Sequence, residues 1–375
     1  MEKIIAQSIL EEKTYEIILE NQEIRSILPL KSEIKTSYIF GPGFVDIQVN
    51  GYGGIDYNEI QQDFLSLGQI SQKLVQFGVT QHFPTLITQC KEQLGILFQQ
   101  LVKLIESDLS LRNSIPGFHL EGPFISPEDG PRGAHSREFV CPPSWDWFQF
   151  WQEKAKGNIK LLTMSPEWEG SIPFIEKCVD SGVVVSIGHC NASQSQISEA
   201  VQAGARLSTH LGNGAHAMLP RHPNYLWSQL AEDRLFASVI ADGFHLPQEV
   251  LKVFGKVKGD KVFLVSDSVA LAGMSPGNYS TQVGGEVTLS PTGKLHLADQ
   301  PQVLAGSASN LLQGVNFLIR NQLFTPKEAW EMASIRPKKL FEEESKNWMV
   351  DLNSDFTLGE FDTDSQIRIH KTFQN

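Results

Sequence analysis

No stretch of the sequence approaches the roughly 18 consecutive apolar residues of a membrane span. The first twenty residues, MEKIIAQSILEEKTYEIILE, interrupt their apolar groups with charges, which excludes the apolar region of a secretory leader. Basic runs are missing too. With Lys+Arg 31 against Asp+Glu 43, the net charge is −12 at pH 7, and that field repels phosphate backbones. Neither nucleic acid nor membrane is expected as a partner, and a cytoplasmic location is. Cysteine is scarce: Cys90, Cys141, Cys178 and Cys190 show no CxxC spacing and read as reduced thiols. No GxGxxG follows the first strand-like run. The Gly51-Tyr52-Gly53-Gly54 run has no P-loop lysine and reads as a flexible turn, not a phosphate cradle.

What is present is enough chain for a large core, 375 residues with 41% hydrophobic content. Short, largely apolar runs recur at Gly43 to Val49, Thr80 to Leu86, Ile115 to Leu120, Lys160 to Met164, Val183 to Ile187, Arg206 to Thr209, Ala237 to Ala241 and Val262 to Val265. Such runs fit strands buried on both faces. Segments between them, such as Phe64 to Phe77, Glu92 to Ile105 and Gln196 to Ala203, carry helix-spaced apolar residues. About eight strand–helix units predict a (β/α)8 TIM-type barrel over residues 43–340, in preference to a doubly wound open sheet. The ends read differently. Tyr15 to Leu19, Ile24 to Leu28, Ser37 to Phe40, Asp355 to Leu358 and Ser365 to His370 are short strand candidates. They predict a small β-sandwich domain formed from both chain termini, residues 1–42 plus 341–375. Alternation from Tyr279 to Leu297, with turns at Gly284-Gly285 and Pro291-Thr292-Gly293, predicts an inserted β-hairpin at about 279–298. Trp145, Trp147 and Trp151 read as packing residues.

The polar residues fall at one point of each unit. Glu121, His189, His210, Asp242 and Asp267 each follow an apolar run, and in a barrel the C-terminal strand ends build the active site. A glutamate, two histidines and a spare aspartate form a metal-ligand set with a base. Against this, a lone histidine after a strand is more often a hydrogen-bonded structural residue, and Glu121 or Asp267 would also serve as caps. Spacing alone leaves both readings open.

Pro42-Gly43-Phe44-Val45-Asp46, His119-Leu120-Glu121-Gly122-Pro123, Gly188-His189, Thr209-His210-Leu211, Asp242-Gly243-Phe244-His245, Ser266-Asp267 and Leu304-Ala305-Gly306-Ser307 together resemble the ordered motifs of the amidohydrolase superfamily. Within it they are most similar to the N-acetylglucosamine-6-phosphate deacetylase family. The resemblance implies that Glu121, His189 and His210 bind a divalent metal, zinc first, with iron or manganese as substitutes. Three protein ligands leave a fourth position for water. It implies Asp267 as general base and His245 as hydrogen-bond donor to the acetyl carbonyl. Many amidohydrolases carry HxH at the end of the first strand; here Gln48-Val49-Asn50 stands there, and neutral amides disfavour a second metal. Gln48 and Asn50 are placed among the substrate-binding residues, with hydrogen bonding inside the mouth as the plainer reading. Asn213 and His135 match substrate-contacting positions. Arg221 sits near the family's phosphate-binding arginine, which reaches into a partner subunit and implies a homodimer. The loop Gly212 to Met218 departs from the family's NAM pattern. The implied activity is removal of the acetyl group from N-acetylglucosamine 6-phosphate. The alternatives are N-acetylgalactosamine 6-phosphate, another N-acyl compound, or a catalytically silent amidohydrolase-like assembly protein. Retention of Glu121, His189, His210 and Asp267 argues for an enzyme.

Overall fold

Eight short strands hydrogen-bond side by side in chain order: β1 (Phe44–Val49), β2 (Val79–Ile87), β3 (Phe118–Glu121), β4 (Ile159–Met164), β5 (Val184–Ile187), β6 (Leu207–Ser208), β7 (Phe236–Val239) and β8 (Val262–Leu264). Every neighbouring pair is parallel. The structure is a computed structural model and describes residues 1–11, 13–20, 23–31, 34–59, 64–281, 285–341 and 355–374.

Each predicted run overlaps one of these strands. They read as continuous apolar runs because helices cover their outer faces. The helix Lys91–Ser107 shows why: Leu94, Leu97, Phe98, Leu101, Leu104 and Ile105 recur at helical spacing and are all buried. The third strand begins well inside its run. Pro116 offers no N–H to a ladder and Ile115 caps the helix Leu109–Ser114, so β3 starts at Phe118. No helix among the described residues is long and apolar enough to cross a membrane.

Inside the barrel the side chains form tiers. Val45, Ile47, Phe83, Leu161, Val184, Leu207, Phe236 and Phe263 make an apolar floor, closed by Leu340 and Phe341. Above it lies a polar tier. The Thr163 and Thr209 hydroxyls are 2.7 Å apart, reaching past β5, and His119 Nε2 lies 2.8 Å from the Thr163 hydroxyl. Burial lowers the pKa of His119 to about 4, so it stays neutral.

The ring has a seam. Among the described residues β1 and β8 share no ladder, only an isolated bridge between Val49 and Ser268. The buried Asp46 carboxylate crosses the gap, its Oδ1 accepting from the Ser266 N–H at 3.1 Å. Burial foremost pushes its pKa up to about 7.

The terminal segments pair as expected, with one strand more than was predicted. Their hydrogen bonds join 367–373, 356–361, 38–42, 2–8, 14–20 and 23–29 in that order. Ala6, Ile17, Leu19, Phe40, Phe356, Leu358 and Phe373 fill the space this sheet encloses. Trp330 ties it to the barrel, donating from Nε1 to the Pro42 carbonyl at 3.0 Å and packing edge-on against Phe44. The insert is a three-stranded antiparallel sheet, Gly277–Thr281, Gly285–Leu289 and Leu295–Leu297, and so exceeds the expected hairpin. Its two turns need three strands. Gly284, in the first expected turn, lies outside the described residues. The Gly51 to Gly54 run lies in a tight ribbon, its Gly53 and Gly54 N–H groups donating at 2.7 Å to the carbonyls of Ala272 and Ala270 respectively. Trp151 is fully buried, and Trp145 stacks on Phe148.

Candidate active site

Glu121 ends β3, while His189, His210 and Asp267 lie just past β5, β6 and β8, so the parallel sheet delivers all four to one mouth. His189, His210 and Asp267 hold φ of 51°, 30° and 47°, the left-handed region that L residues avoid. Three such residues at strand ends, each carrying a chemical group, mark stored backbone strain at a site.

Glu121, His189 and His210 are buried, and their ligand atoms lie within 4.8 Å of one another. Glu121 Oε1 is 3.1 Å from His189 Nε2 and 3.0 Å from His210 Nε2, and the two nitrogens are 3.0 Å apart. A tetrahedral zinc with bonds near 2.0 Å has ligand-to-ligand edges of about 3.3 Å, so this triangle fits a divalent ion. The tautomer fits as well. His189 Nδ1 donates to the Pro131 carbonyl at 2.7 Å, which leaves its Nε2 lone pair facing the cluster. His210 Nδ1 is buried without a partner. For Glu121, burial acts to raise the carboxyl, but hydrogen bonds and charge from the two imidazoles overturn it and hold the pKa well below the usual value.

Gln48 and Asn50, expected at the substrate, donate from their amide nitrogens to carboxylates of the mouth. Gln48 Nε2 donates to Glu121 Oε1 at 3.1 Å, and Asn50 Nδ2 donates to Asp267 Oδ1 at 2.8 Å. The two amides standing where HxH would be hold the Glu121 and Asp267 carboxylates in place, because buried carboxylates need hydrogen-bond donors. Burial first, then the charge of Glu121, pushes Asp267 up to about 6.

His245 sits on the turn Asp242-Gly243-Phe244-His245. Asp242 Oδ1 accepts from the Phe244 and His245 N–H groups at 2.8 and 2.9 Å, and its Oδ2 lies 2.7 Å from His245 Nδ1. Gly243 has φ 81°, and a Cβ there would meet Phe317 at 2.7 Å, so glycine is required. This role of Asp242 was missed in the sequence, although an aspartate two and three residues before turn N–H groups is a known local-bond signature.

His135 is buried beside the ligands, its ring 4.5 Å from that of His189 and its Nδ1 2.8 Å from the Thr88 hydroxyl. Burial lowers its pKa to about 3, so it is a neutral wall for His189. Arg132 holds this loop: Nη1 donates to the His135 carbonyl at 2.6 Å and Nη2 pairs with Asp129 at 2.5 Å. Asn213 Nδ2 donates to the His210 carbonyl at 3.2 Å, which folds the loop back over β6. The added His216 lies 3.1 Å from the Tyr225 hydroxyl and 3.3 Å from Glu128 Oε2, bridging to the loop after β3. Arg221 stays apart from this group. It is exposed and makes no ion pair among the described residues.

No protein-family model matches the chain. It is similar to the N-acetylglucosamine-6-phosphate deacetylase of Bacillus subtilis, 32% identical over 74% of this chain and 69% of that protein. It is similar also to the Bos taurus enzyme of the same name, 30% identical over 88% of this chain and 81% of the relative. Among solved structures, that of N-acetylglucosamine-6-phosphate deacetylase from Thermotoga maritima superposes with a TM-score of 0.80 at 26% identity, covering 99% of this chain and 97% of the other. The fold agrees with that solved structure, and by identity and coverage the chain belongs to the N-acetylglucosamine-6-phosphate deacetylase family.

Proposed function

We propose that this chain hydrolyses the acetamide of N-acetylglucosamine 6-phosphate to acetate and glucosamine 6-phosphate. The observation that carries the reading is the buried triangle of Glu121, His189 and His210 with Asp267 beside it, in a chain of this family. The triangle would hold one divalent ion, zinc by its donor set, and Gln48 and Asn50 support that set instead of adding ligands. Such an ion supplies Lewis acidity, which brings the pKa of water toward about 7 and polarises a carbonyl.

The chain's own residues carry the protons. Asp267 takes one from the attacking water and returns it to the amine nitrogen as the C–N bond breaks, because an unprotonated amine leaves poorly. His245 donates to the acetyl oxygen as charge develops there. His135 and Asn213 border the sugar. Arg221 binds phosphate from a partner subunit of a homodimer, which accounts for its exposure in a single chain. Residues 1–42 with 341–375 act as a scaffold for the 43–340 barrel, and the enzyme works in the cytoplasm.

The test is a panel of purified-protein assays with N-acetylglucosamine, N-acetylgalactosamine and their 6-phosphates. Fastest acetate release from N-acetylglucosamine 6-phosphate is expected. Release of no acetate from any of the four by metal-loaded protein overturns the reading.

A further inference from the structure

Of the four neighbouring strands β3 to β6, three lead to Glu121, His189 and His210, while β4 supplies none of that cluster. Glu167 stands just past the end of β4, and its carboxylate is engaged by the loops on either side. Oε1 accepts from the Ser126 hydroxyl at 2.6 Å, in the loop after β3. Oε2 accepts from the Ser165 hydroxyl at 2.8 Å and from the Asn191 N–H, in the loop after β5. Ser126 and Ser165 are fully buried, and buried hydroxyls need such partners. One side chain thus joins three strand ends.

His189 lies between the segments so joined. Its φ of 51° is in the left-handed region, which a residue with a side chain keeps only where its surroundings fix it. The Gly188 N–H donates to the Met164 carbonyl at 3.2 Å, and the Ser126 N–H donates to the His189 carbonyl at 2.8 Å. The ring is held by the Pro131 carbonyl, on the same loop as Ser126. Glu167 grips this arrangement at both ends, at Ser126 and at Asn191, two residues past His189.

We propose that Glu167 is a positioning residue for the metal centre: by tying Ser126 to Asn191 it fixes the left-handed backbone of His189, and with it the place of His189 Nε2 beside Glu121 and His210. Glu167 is not one of the three ligand residues and acts through the backbone of one of them. The metal in this statement rests on the functional reading above; the hold on His189 does not.

The experiment uses the full-length chain, stripped of metal by a chelator, with zinc or cobalt(II) ions titrated back into the parent, Glu167→Ala and Glu167→Gln. Glu167→Ala is expected to bind both ions about 10-fold or more weakly than the parent, with a changed visible absorption band of the bound cobalt. Glu167→Gln keeps the length of the side chain and one acceptor oxygen, and is expected to fall between the two. Amide hydrogen exchange over residues 188–192 in the metal-free proteins reads the hold on His189 directly. Exchange about 10-fold faster is expected in Glu167→Ala. Parental ion affinity with an unchanged cobalt band in Glu167→Ala overturns the proposal, and so does unchanged exchange. If the parent binds neither ion, the functional reading fails and the exchange alone decides on Glu167, so the two failures are distinguished. If Glu167→Ala does not fold, Ser126→Ala, which removes one of the three bonds, takes its place. Roughly threefold weaker cobalt binding is then expected, and parental affinity overturns the proposal.

Discussion

At the scale of single residues, the mouth is arranged so that each carboxylate has one task. Asp267 is useful as a base only when ionised. Burial and the charge of Glu121 raise it to about 6, so kcat/KM should fall as pH drops through about 6, and a cation at Glu121 moves that limb lower. A pH profile recorded with full metal content checks this. Asp267→Asn should fold and retain metal while losing roughly 10²–10⁴-fold in turnover, the usual worth of a positioned base; near-parental turnover would remove Asp267 from that role. Gln48→Ala should weaken metal affinity by about 10–100-fold, as loss of a ligand's supporting hydrogen bond does, and competition with a chelator measures it. Asp46 makes a stability prediction. Its folded pKa, about 7, stands above the unfolded one, so the native state binds the extra proton and stability falls as pH rises toward 7. Asp46→Asn should flatten that decline, read as denaturation midpoints between pH 5 and 8.

At the scale of elements, the loops after the strands set the precision of the ligands. Gly214 has φ 56°, and a Cβ there would stand 2.7 Å from His189 Nδ1, where the bond to Pro131 is made. Gly157 has φ 78° with open space around it. Alanine at 157 should therefore cost only backbone strain of about 1–2 kcal/mol, while alanine at 214 should also lower metal occupancy. Metal analysis of the two variants separates the effects. Much of this was legible beforehand. Strands covered on both faces show as unbroken apolar runs, and a polar residue closing each run shows the mouth. The partners of Gln48 and Asn50 were not legible, because the register of β1 against β2 shifts between Asp46 and Val49, and alternation cannot reveal a shift. Nothing in the spacing around Arg132 shows what it holds. Its partners, Asp129 and the His135 carbonyl, become visible only once the loop is folded.

At the scale of the whole molecule, both chain ends close one sheet against the barrel. Trp330 is the fastening, fully buried and bonded to Pro42. Trp330→Ala should cost about 3–5 kcal/mol, measured by chemical denaturation, with both the barrel and the terminal sheet loosened. The seam between β1 and β8 matters on this scale as well. Asn50 and Asp267 ride its opposite lips, and the hydrogen bond between them spans it. Scattered bonds stitch that seam, the Ser266 N–H to Asp46 and the Asn50 and Gly51 N–H groups to the Ser268 carbonyl, and Asp267 lies among them. Whatever loosens those two lips therefore also loosens the hold on the group proposed to carry the proton.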